Sequence, residues 1–253
     1  KPRSVLGFNK WSSINHYTKS FDFDCENWHV SKTFSFIADY LQLDKKYLQC
    51  VATDAHRLVR YKRTDVKCPK SDTFIVPRKP LNLVKSAIPS NEDEVTLSYN
   101  DNHLFIKHGS TQMSCRLIDA RFPDYKVVIP TDNPYRLTLN RADFQSALRR
   151  VSIFSNKSTN QVALSITGSE LQLAAQDVDF SNEGNERMNC QYNGEDLVIA
   201  FNARFLIEML GATESNEVNV ELSTPTKAGL IKPVDQEDNE ELLMLVMPLM
   251  LNQ

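Results

Sequence analysis

The spacing of apolar and polar residues changes several times along this chain, and each change marks an element. Val95, Leu97 and Tyr99 alternate with polar neighbours, Asn100-Asp101-Asn102 supplies turn formers, and Leu104 and Ile106 resume the alternation. The stretch from Glu94 to His108 therefore predicts a hairpin. Pro80 followed by Leu81, Val84 and Ile88 predicts a short amphipathic helix entered through proline. Phe144, Ala147, Leu148 and Val151 form an apolar stripe behind Asn140, with Asp143 at the third helical position, a variant of the capping box. A further helix is expected from an Asn202 cap to Leu210, with Gly211 closing it in the left-handed conformation. Strands are expected around Phe34–Leu43, Tyr47–Ala52, Met113–Ile118, Val162–Ile166, Leu171–Ala175, Met188–Tyr192, Leu197–Phe201 and Leu242–Met247. Pro248 ends ladder pairing, so Leu249 and Leu251 are expected to leave the sheet. Residues 1–30, with Trp11, Phe21 and Trp28 among polar neighbours, show no clean period and receive no element.

The pattern repeats. Leu48-Gln-Cys-Val-Ala-Thr-Asp54 recurs as Leu171-Gln-Leu-Ala-Ala-Gln-Asp177, Phe74-Ile-Val-Pro-Arg-Lys79 as Val198-Ile-Ala-Phe-Asn-Ala-Arg204, and Glu94-Val-Thr-Leu97 as Glu217-Val-Asn-Val220. Three matches in one order, about 123 residues apart, describe a duplicated unit. The polar turn formers Thr131-Asp-Asn-Pro134 separate the halves, giving domains of 1–130 and 131–253. Each half reads as strands plus two short helices, an α+β unit with an antiparallel sheet.

Composition narrows the function classes. At 253 residues, with 41% hydrophobic and 24% charged residues, the chain has the make-up of two globular domains. A formal net charge of −3 means that any polyanion must be met by local clusters of Lys and Arg. Five scattered cysteines, without C-x-x-C or zinc spacing, favour free thiols in a reducing cytoplasm. No apolar run approaches the ~18 residues of a membrane span. The first residue is Lys1, without a signal peptide, so the chain reads as a piece of something longer.

Thr53-Asp54-Ala55-His56-Arg57 offers an acid–base pair beside a cation, and a hydrolase centred on Asp54 and His56 is one reading. Against it, no nucleophile motif stands nearby and the chain has no H-E-x-x-H, P-loop or G-x-G-x-x-G. The alternative is a strand ending in an Asp turn. Basic residues accompany the expected helices: Arg78, Lys79 and Lys85 in the first half, and Arg141, Arg149, Arg150 and Arg204 in the second. Acidic residues concentrate elsewhere, at Glu92–Glu94, Asp177, Asp179, Glu183, Glu186 and Asp235–Glu241. Cationic helices with acidic loops would aim a positive field at one face.

Val51-Ala-Thr-Asp-Ala-His-Arg-Leu58, Phe74-Ile-Val-Pro-Arg-Lys79, Asp119-Ala-Arg-Phe-Pro-Asp-Tyr125 and Val246-Met-Pro-Leu249, in this order, resemble the bacterial DNA polymerase III β subunit family, the sliding clamps. The resemblance covers about residues 33–251, matches that family's second and third domains, and leaves its first domain absent. It implies tandem copies of the DNA-clamp fold, with antiparallel sheets outside and two short helices per domain lining the inner face. It also implies a head-to-tail homodimeric ring around double-stranded DNA that confers processivity, with no catalytic chemistry and no cofactor or metal.

The partners implied are the polymerase III α subunit, the clamp loader, and other polymerases and repair proteins carrying a clamp-binding motif. The resemblance places the peptide pocket between the two domains at Thr53, Ala55, His56, Arg57, Leu58, Pro123, Val128, Asn202, Phe205, Leu245, Met247, Pro248 and Leu249. The family usually has Gly where Ala55 stands, and often Arg where Met250 stands. DNA-facing candidates are Arg78, Lys79, Lys85, Arg141, Arg149 and Arg204; the subunit contact falls to Ile153, Phe154, Asp179, Glu183 and Glu186. A head-to-tail ring needs both contact surfaces, so a non-ring peptide-binding adaptor is the alternative for this polypeptide.

Overall fold

Alternating burial along a strand requires that one face of its sheet be covered, and both halves of the chain meet that requirement in the same way. The computed structural model describes residues 19–23, 38–66, 68, 70–87 and 95–251. Trp11, Trp28, Phe34, Phe36, Ile88 and Glu92–Glu94 lie outside these residues. The chain divides into two compact units, one of residues 1–54 and 60–123, the other of residues 55–59 and 124–253. The connector 124–130 thus groups with the second unit, ahead of the Thr131–Pro134 turn.

In the first unit, β1 (Lys19–Phe23), β6 (Val95–Tyr99), β7 (His103–His108) and β8 (Thr111–Arg116) form one antiparallel sheet in the order β1-β6-β7-β8. A second ladder runs β4-β3-β2-β5, from β2 (Ala38–Leu43), β3 (Leu48–Thr53), β4 (Arg57–Arg63) and β5 (Asp72–Pro77). The hairpin turn forms as expected, with the Asn100 side-chain oxygen accepting from the amides of Asn102 and His103 at 2.9 and 2.8 Å. Helix α1 (Arg78–Ala87) follows β5 directly, with Pro80 in its first turn, and buries Leu81 and Val84. These two residues join Leu41, Phe74, Leu97 and Ile106 in one apolar cluster. The Phe74 and Tyr99 rings approach to 4.8 Å within it.

The second unit repeats this plan. Strands β9 (Tyr135–Asn140), β15 (Glu217–Leu222), β16 (Gly229–Pro233) and β17 (Glu240–Val246) take the order β9-β15-β16-β17. Strands β10 (Gln161–Thr167), β11 (Glu170–Asp177), β12 (Asn182–Asn189) and β14 (Leu197–Asn202) take the order β12-β11-β10-β14. Element for element, β4-β3-β2-β5 corresponds to β12-β11-β10-β14, and α1 after β5 corresponds to α3 (Ala203–Leu210) after β14. The repeated sequence segments fall on these equivalent elements, so the chain is a tandem duplication of one α+β module. Helix α2 (Arg141–Val151) packs on α3 and buries Phe144, Ala147, Leu148 and Val151, the expected stripe. Its Asn140 cap accepts from the Asp143 amide at 3.0 Å.

Several expectations are corrected. Gly211 has φ −74° and ψ −13°, so α3 does not end on a left-handed residue. A side chain at Gly211 would meet the Gln145 amide at 3.1 Å, so that amide, which donates to the Ile207 carbonyl at 2.8 Å, would have to give by a few tenths of an ångström. The strand expected at Met188–Tyr192 is the end of the longer β12 followed by a two-residue β13 (Gln191–Tyr192), which pairs with β9 instead. β12 reads Asn-Glu-Gly-Asn-Glu-Arg-Met-Asn, an edge strand with no apolar face for alternation to reveal. Among the described residues the first unit holds α1 and the second holds α2 and α3; residues 24–37, ahead of β2, lie outside the described residues.

No helix among the described residues is long and apolar enough to cross a membrane. Cys50, Cys68, Cys115 and Cys190 are buried free thiols, and burial pushes the Cys68 and Cys115 thiols up to about 11, so both stay protonated at neutral pH; Cys25 lies outside the described residues.

At the end of β4, the buried Arg63 guanidinium donates from Nε to the Asp65 carboxylate at 2.8 Å, and this hydrogen bond holds the Asp65 carboxyl below its usual range. Asp65 is 38% exposed, which screens the pair. Asp65→Asn is expected to lower unfolding stability by about 1 kcal/mol at neutral pH. Because the folded carboxyl is the more acidic form, this stabilisation is complete above the unfolded value of about 4 and fades as pH falls through the folded one. Urea denaturation of both proteins between pH 3 and pH 7 checks the expected convergence at the acid end.

Candidate functional site

The turn from β14 into α3 sets the geometry of the first cluster. The Asn202 side-chain oxygen accepts from the amides of Arg204 and Phe205 at 3.0 and 3.3 Å, and its amide nitrogen donates to the Thr159 carbonyl at 2.9 Å. Asn202 is thus a doubly anchored N-cap. It fixes the start of α3, and with it Phe205 and Glu208, which lie three residues apart on one helix face.

Onto that face comes Arg57, whose side chain is 8% exposed. Its guanidinium carbon lies 4.4 Å from the Phe205 ring centroid, and it donates from NH1 to a Glu208 carboxylate oxygen at 2.7 Å. The His56 ring stacks with Phe205 at 6.0 Å between centroids and 25° between planes. The terminal segment borders the same place. Met247 donates its amide to the His56 carbonyl at 2.8 Å, and beyond Pro248 the Leu249 amide donates to the Ala200 carbonyl at 2.7 Å. Leu249 thus leaves the β17 ladder, as expected from Pro248, and makes one isolated bridge to Ala200 at the edge of β14. The result is a flat aromatic and guanidinium wall edged by backbone. His56 contributes its ring face and its carbonyl, a use that needs no proton transfer.

Other expected pocket residues differ in exposure. Leu58 and Leu245 are buried, while Met247 is 42% exposed and Pro248 and Leu249 are half-buried. Val128 is 52% exposed at the end of the 3-10 turn Tyr125–Val128. Thr53 and Pro123 belong to the first unit. Ala55 is one of three non-glycine residues among the described residues with positive φ, at 72°. Sequence reasoning missed Glu208, which reads as an ordinary polar-face residue of a helix.

Among the basic candidates, Arg78, Lys79, Arg149 and Arg204 are exposed, and Lys85 lies on α1 with its side chain outside the description. Arg141 is committed inward instead, donating to the carbonyls of Ser215 at 2.8 Å and Leu210 at 3.4 Å. Arg150 pairs with Glu186, and that hydrogen bond holds the Glu186 carboxyl below its usual range. Glu186 is therefore engaged within its own unit.

A second surface lies around the β11–β12 turn. Ile153 is 66% and Phe154 39% exposed, on a 3-10 turn following α2. The Phe154 ring rests on Gly184 of β12, where a Cβ would lie 2.2 Å from it, so only glycine leaves room. Val178 and Phe180 flank the turn, 77% and 72% exposed, and were not foreseen; two apolar residues bracketing Asp179 were the available signal. Asp179 and Glu183 are exposed and border a cavity of about 520 Å³ floored by Ala163 and Ala174, with Leu251 on its wall. Among the described residues no group of three or more His, Cys, Asp or Glu could hold a metal ion.

Comparison with known proteins agrees with this plan. Residues 39–124 match the central domain, and residues 126–248 the C-terminal domain, of the DNA polymerase III beta subunit. The chain is 32% identical over 199 residues to the beta sliding clamp of Treponema pallidum, covering 77% of this chain and 53% of that protein. It is 29% identical over 206 residues to the beta sliding clamp of Pseudomonas aeruginosa, covering 81% and 56%. The chain thus spans about half the length of these curated relatives. Among solved structures it is similar to the DNA polymerase III beta subunit of Thermotoga maritima, at TM-score 0.83 and 25% identity, covering 92% of this chain and 66% of that one. The Pseudomonas aeruginosa sliding clamp bound to griselimycin shares the fold at TM-score 0.85 and 24% identity, covering 92% and 65%.

A left-handed alanine costs about 1 kcal/mol relative to glycine. Ala55→Gly relieves that strain while loosening the unfolded chain, which offsets part of the gain. A net stabilisation of about 0.5 kcal/mol is expected, read as a higher urea midpoint with an unchanged slope.

Proposed function

The chain belongs to the DNA polymerase III beta subunit family, and from that premise we propose that it is the central and C-terminal part of a sliding clamp that confers processivity on a DNA polymerase. The reading rests chiefly on one observation: a flat wall of His56, Phe205 and Arg57 stands beside the half-exposed Met247, Pro248 and Leu249. Such a slot, apolar on its faces and rimmed by backbone, suits a short linear peptide with large apolar side chains. In this reading Ala55, Leu58, Val128, Asn202 and Leu245 support or flank the slot, and the replicative polymerase, the clamp loader and repair proteins supply the peptides.

The protein's role is to tether, without bond-making chemistry of its own, in the bacterial cytoplasm. Exposed Arg78, Lys79, Arg149 and Arg204 are the cations that would meet duplex DNA, with Lys85 on the same helix as Arg78 and Lys79. Sliding requires contacts to phosphate that read no bases. Ring closure as a homodimer would use the surface of Ile153, Phe154, Asp179 and Glu183, widened by Val178 and Phe180, with Glu186 held behind it by Arg150.

A fluorescein-labelled peptide copied from the clamp-binding segment of a bacterial replicative polymerase is expected to bind this chain at micromolar strength in a polarisation titration. His56→Ala is expected to weaken binding at least about tenfold, a loss of about 1.4 kcal/mol. Deleting residues 249–253 is expected to abolish it. Equal binding by both variants would remove the slot assignment. Sedimentation of the same protein decides ring formation separately: a monomer at micromolar concentration makes this polypeptide a peptide-binding adaptor, not a ring.

A further inference from the structure

Glu208 occupies an awkward position for an acid. It lies in the last turn of α3, where the helix dipole disfavours negative charge, and no basic residue in that turn offsets it. Its side chain is 52% exposed, so burial gives no reason for its orientation. An ordinary ion pair at such a site contributes about 0–1 kcal/mol and holds nothing in place. Its partner, however, is not an ordinary surface cation: the Arg57 side chain is 8% exposed, and its guanidinium lies over a ring.

A guanidinium withdrawn from water needs hydrogen bonds to charged or strongly polar acceptors, and their directions decide where the plane of the fork lies. Glu208 supplies one such acceptor at 2.7 Å, and it does so from the same helix face as Phe205, one turn on. Two residues of α3 therefore grip one guanidinium, the carboxylate from its edge and the ring from its face. The ring is held in return, since a cation seated over its face restricts its tilt. That same ring stacks against His56, whose carbonyl is fixed by Met247.

We infer that Glu208 is a positioning residue of the peptide slot: its carboxylate holds Arg57 over Phe205 and so sets the ring that forms the slot's wall. It touches no peptide; it acts through Arg57 and Phe205. The inference rests on the peptide-slot reading given above. It implies that a change at an exposed helix position, one turn away from Phe205, alters affinity without removing any contact to the ligand.

The test uses the intact chain and the polarisation assay with the labelled polymerase peptide, on wild type, Glu208→Gln, Phe205→Leu and the double variant. Glu208→Gln keeps the shape and removes the charge. It is expected to weaken binding about fivefold while the melting temperature changes little. In the Phe205→Leu background the same substitution is expected to have no further effect, because the ring through which it acts is gone. A structural role alone would give equal losses in both backgrounds. As an independent readout, the Arg57 Nε–H resonance in the wild type is expected to be shifted by the Phe205 ring current and to move towards its ordinary position in Glu208→Gln.

Equal binding by wild type and Glu208→Gln overturns the inference, whatever the resonance does. So does a fivefold loss that persists unchanged in the Phe205→Leu background. Failure of the wild type itself to bind the peptide removes the slot and the role of Glu208 together, and is told apart from the other outcomes by that wild-type titration.

Discussion

Desolvation of Arg57 is the constraint on which the candidate site depends. A guanidinium does not lose its proton, so a buried arginine has to be met by acceptors and π-faces instead of being neutralised. Meeting that demand fixes three features at once. Helix α3 must present Glu208 and Phe205 together, the Asn202 cap must start that helix at the right residue, and the strand carrying Arg57 must arrive over the ring. The flat wall follows as a consequence. Phe205 itself is half-buried, with the guanidinium over one face of its ring.

The duplicated module explains why the two units are built alike and why they differ in what they expose. The strand orders β4-β3-β2-β5 and β12-β11-β10-β14 are equivalent, and the buried Leu48, Cys50 and Ala52 of β3 find counterparts in Leu171, Leu173 and Ala175 of β11. The turn after the last strand of each ladder, between β5 and α1 or between β14 and α3, is handled differently. In α1 proline stands in the first turn, fixing its own φ. In α3 the Asn202 side chain caps the helix and also reaches the Thr159 carbonyl, tying α3 to the loop before β10. The second solution orders more of the surroundings, and the clustered His56, Arg57 and Phe205 are found beside it.

Much of this plan was legible in the chain, and what was not has identifiable causes. The hairpin at Val95–His108 and the buried stripe of α2 were visible because one face of each is apolar, which is the only property that periodicity reports. β12 was largely invisible because its residues are polar on both faces and its pairing to β11 comes from the backbone. Gly211 was misread because a glycine that follows a helix need not be left-handed, and spacing does not report φ. Individual residues of the expected pocket were named through a resemblance, not through pattern. Pattern alone gave Asp54 and His56 as an acid–base pair beside the Arg57 cation, and offered no reason to single out Glu208. Nor could sequence distinguish Arg141, spent on the carbonyls of Ser215 and Leu210, from the exposed Arg149 and Arg204.

The terminal segment shows why a proline can build a rim instead of ending a structure. Through Val246 the strand pairs with β16 and is buried on both faces. Pro248 has no amide to donate, so pairing cannot continue in that direction. The chain nevertheless retains amides on either side of it. Met247 uses its own on the His56 carbonyl, and Leu249 uses its own on Ala200, at the free edge of a different sheet. A segment pinned at two points, with proline between them, has little freedom to collapse onto the core. Its side chains therefore remain half-exposed beside the aromatic wall, which an unbroken strand or an unpinned tail would not achieve.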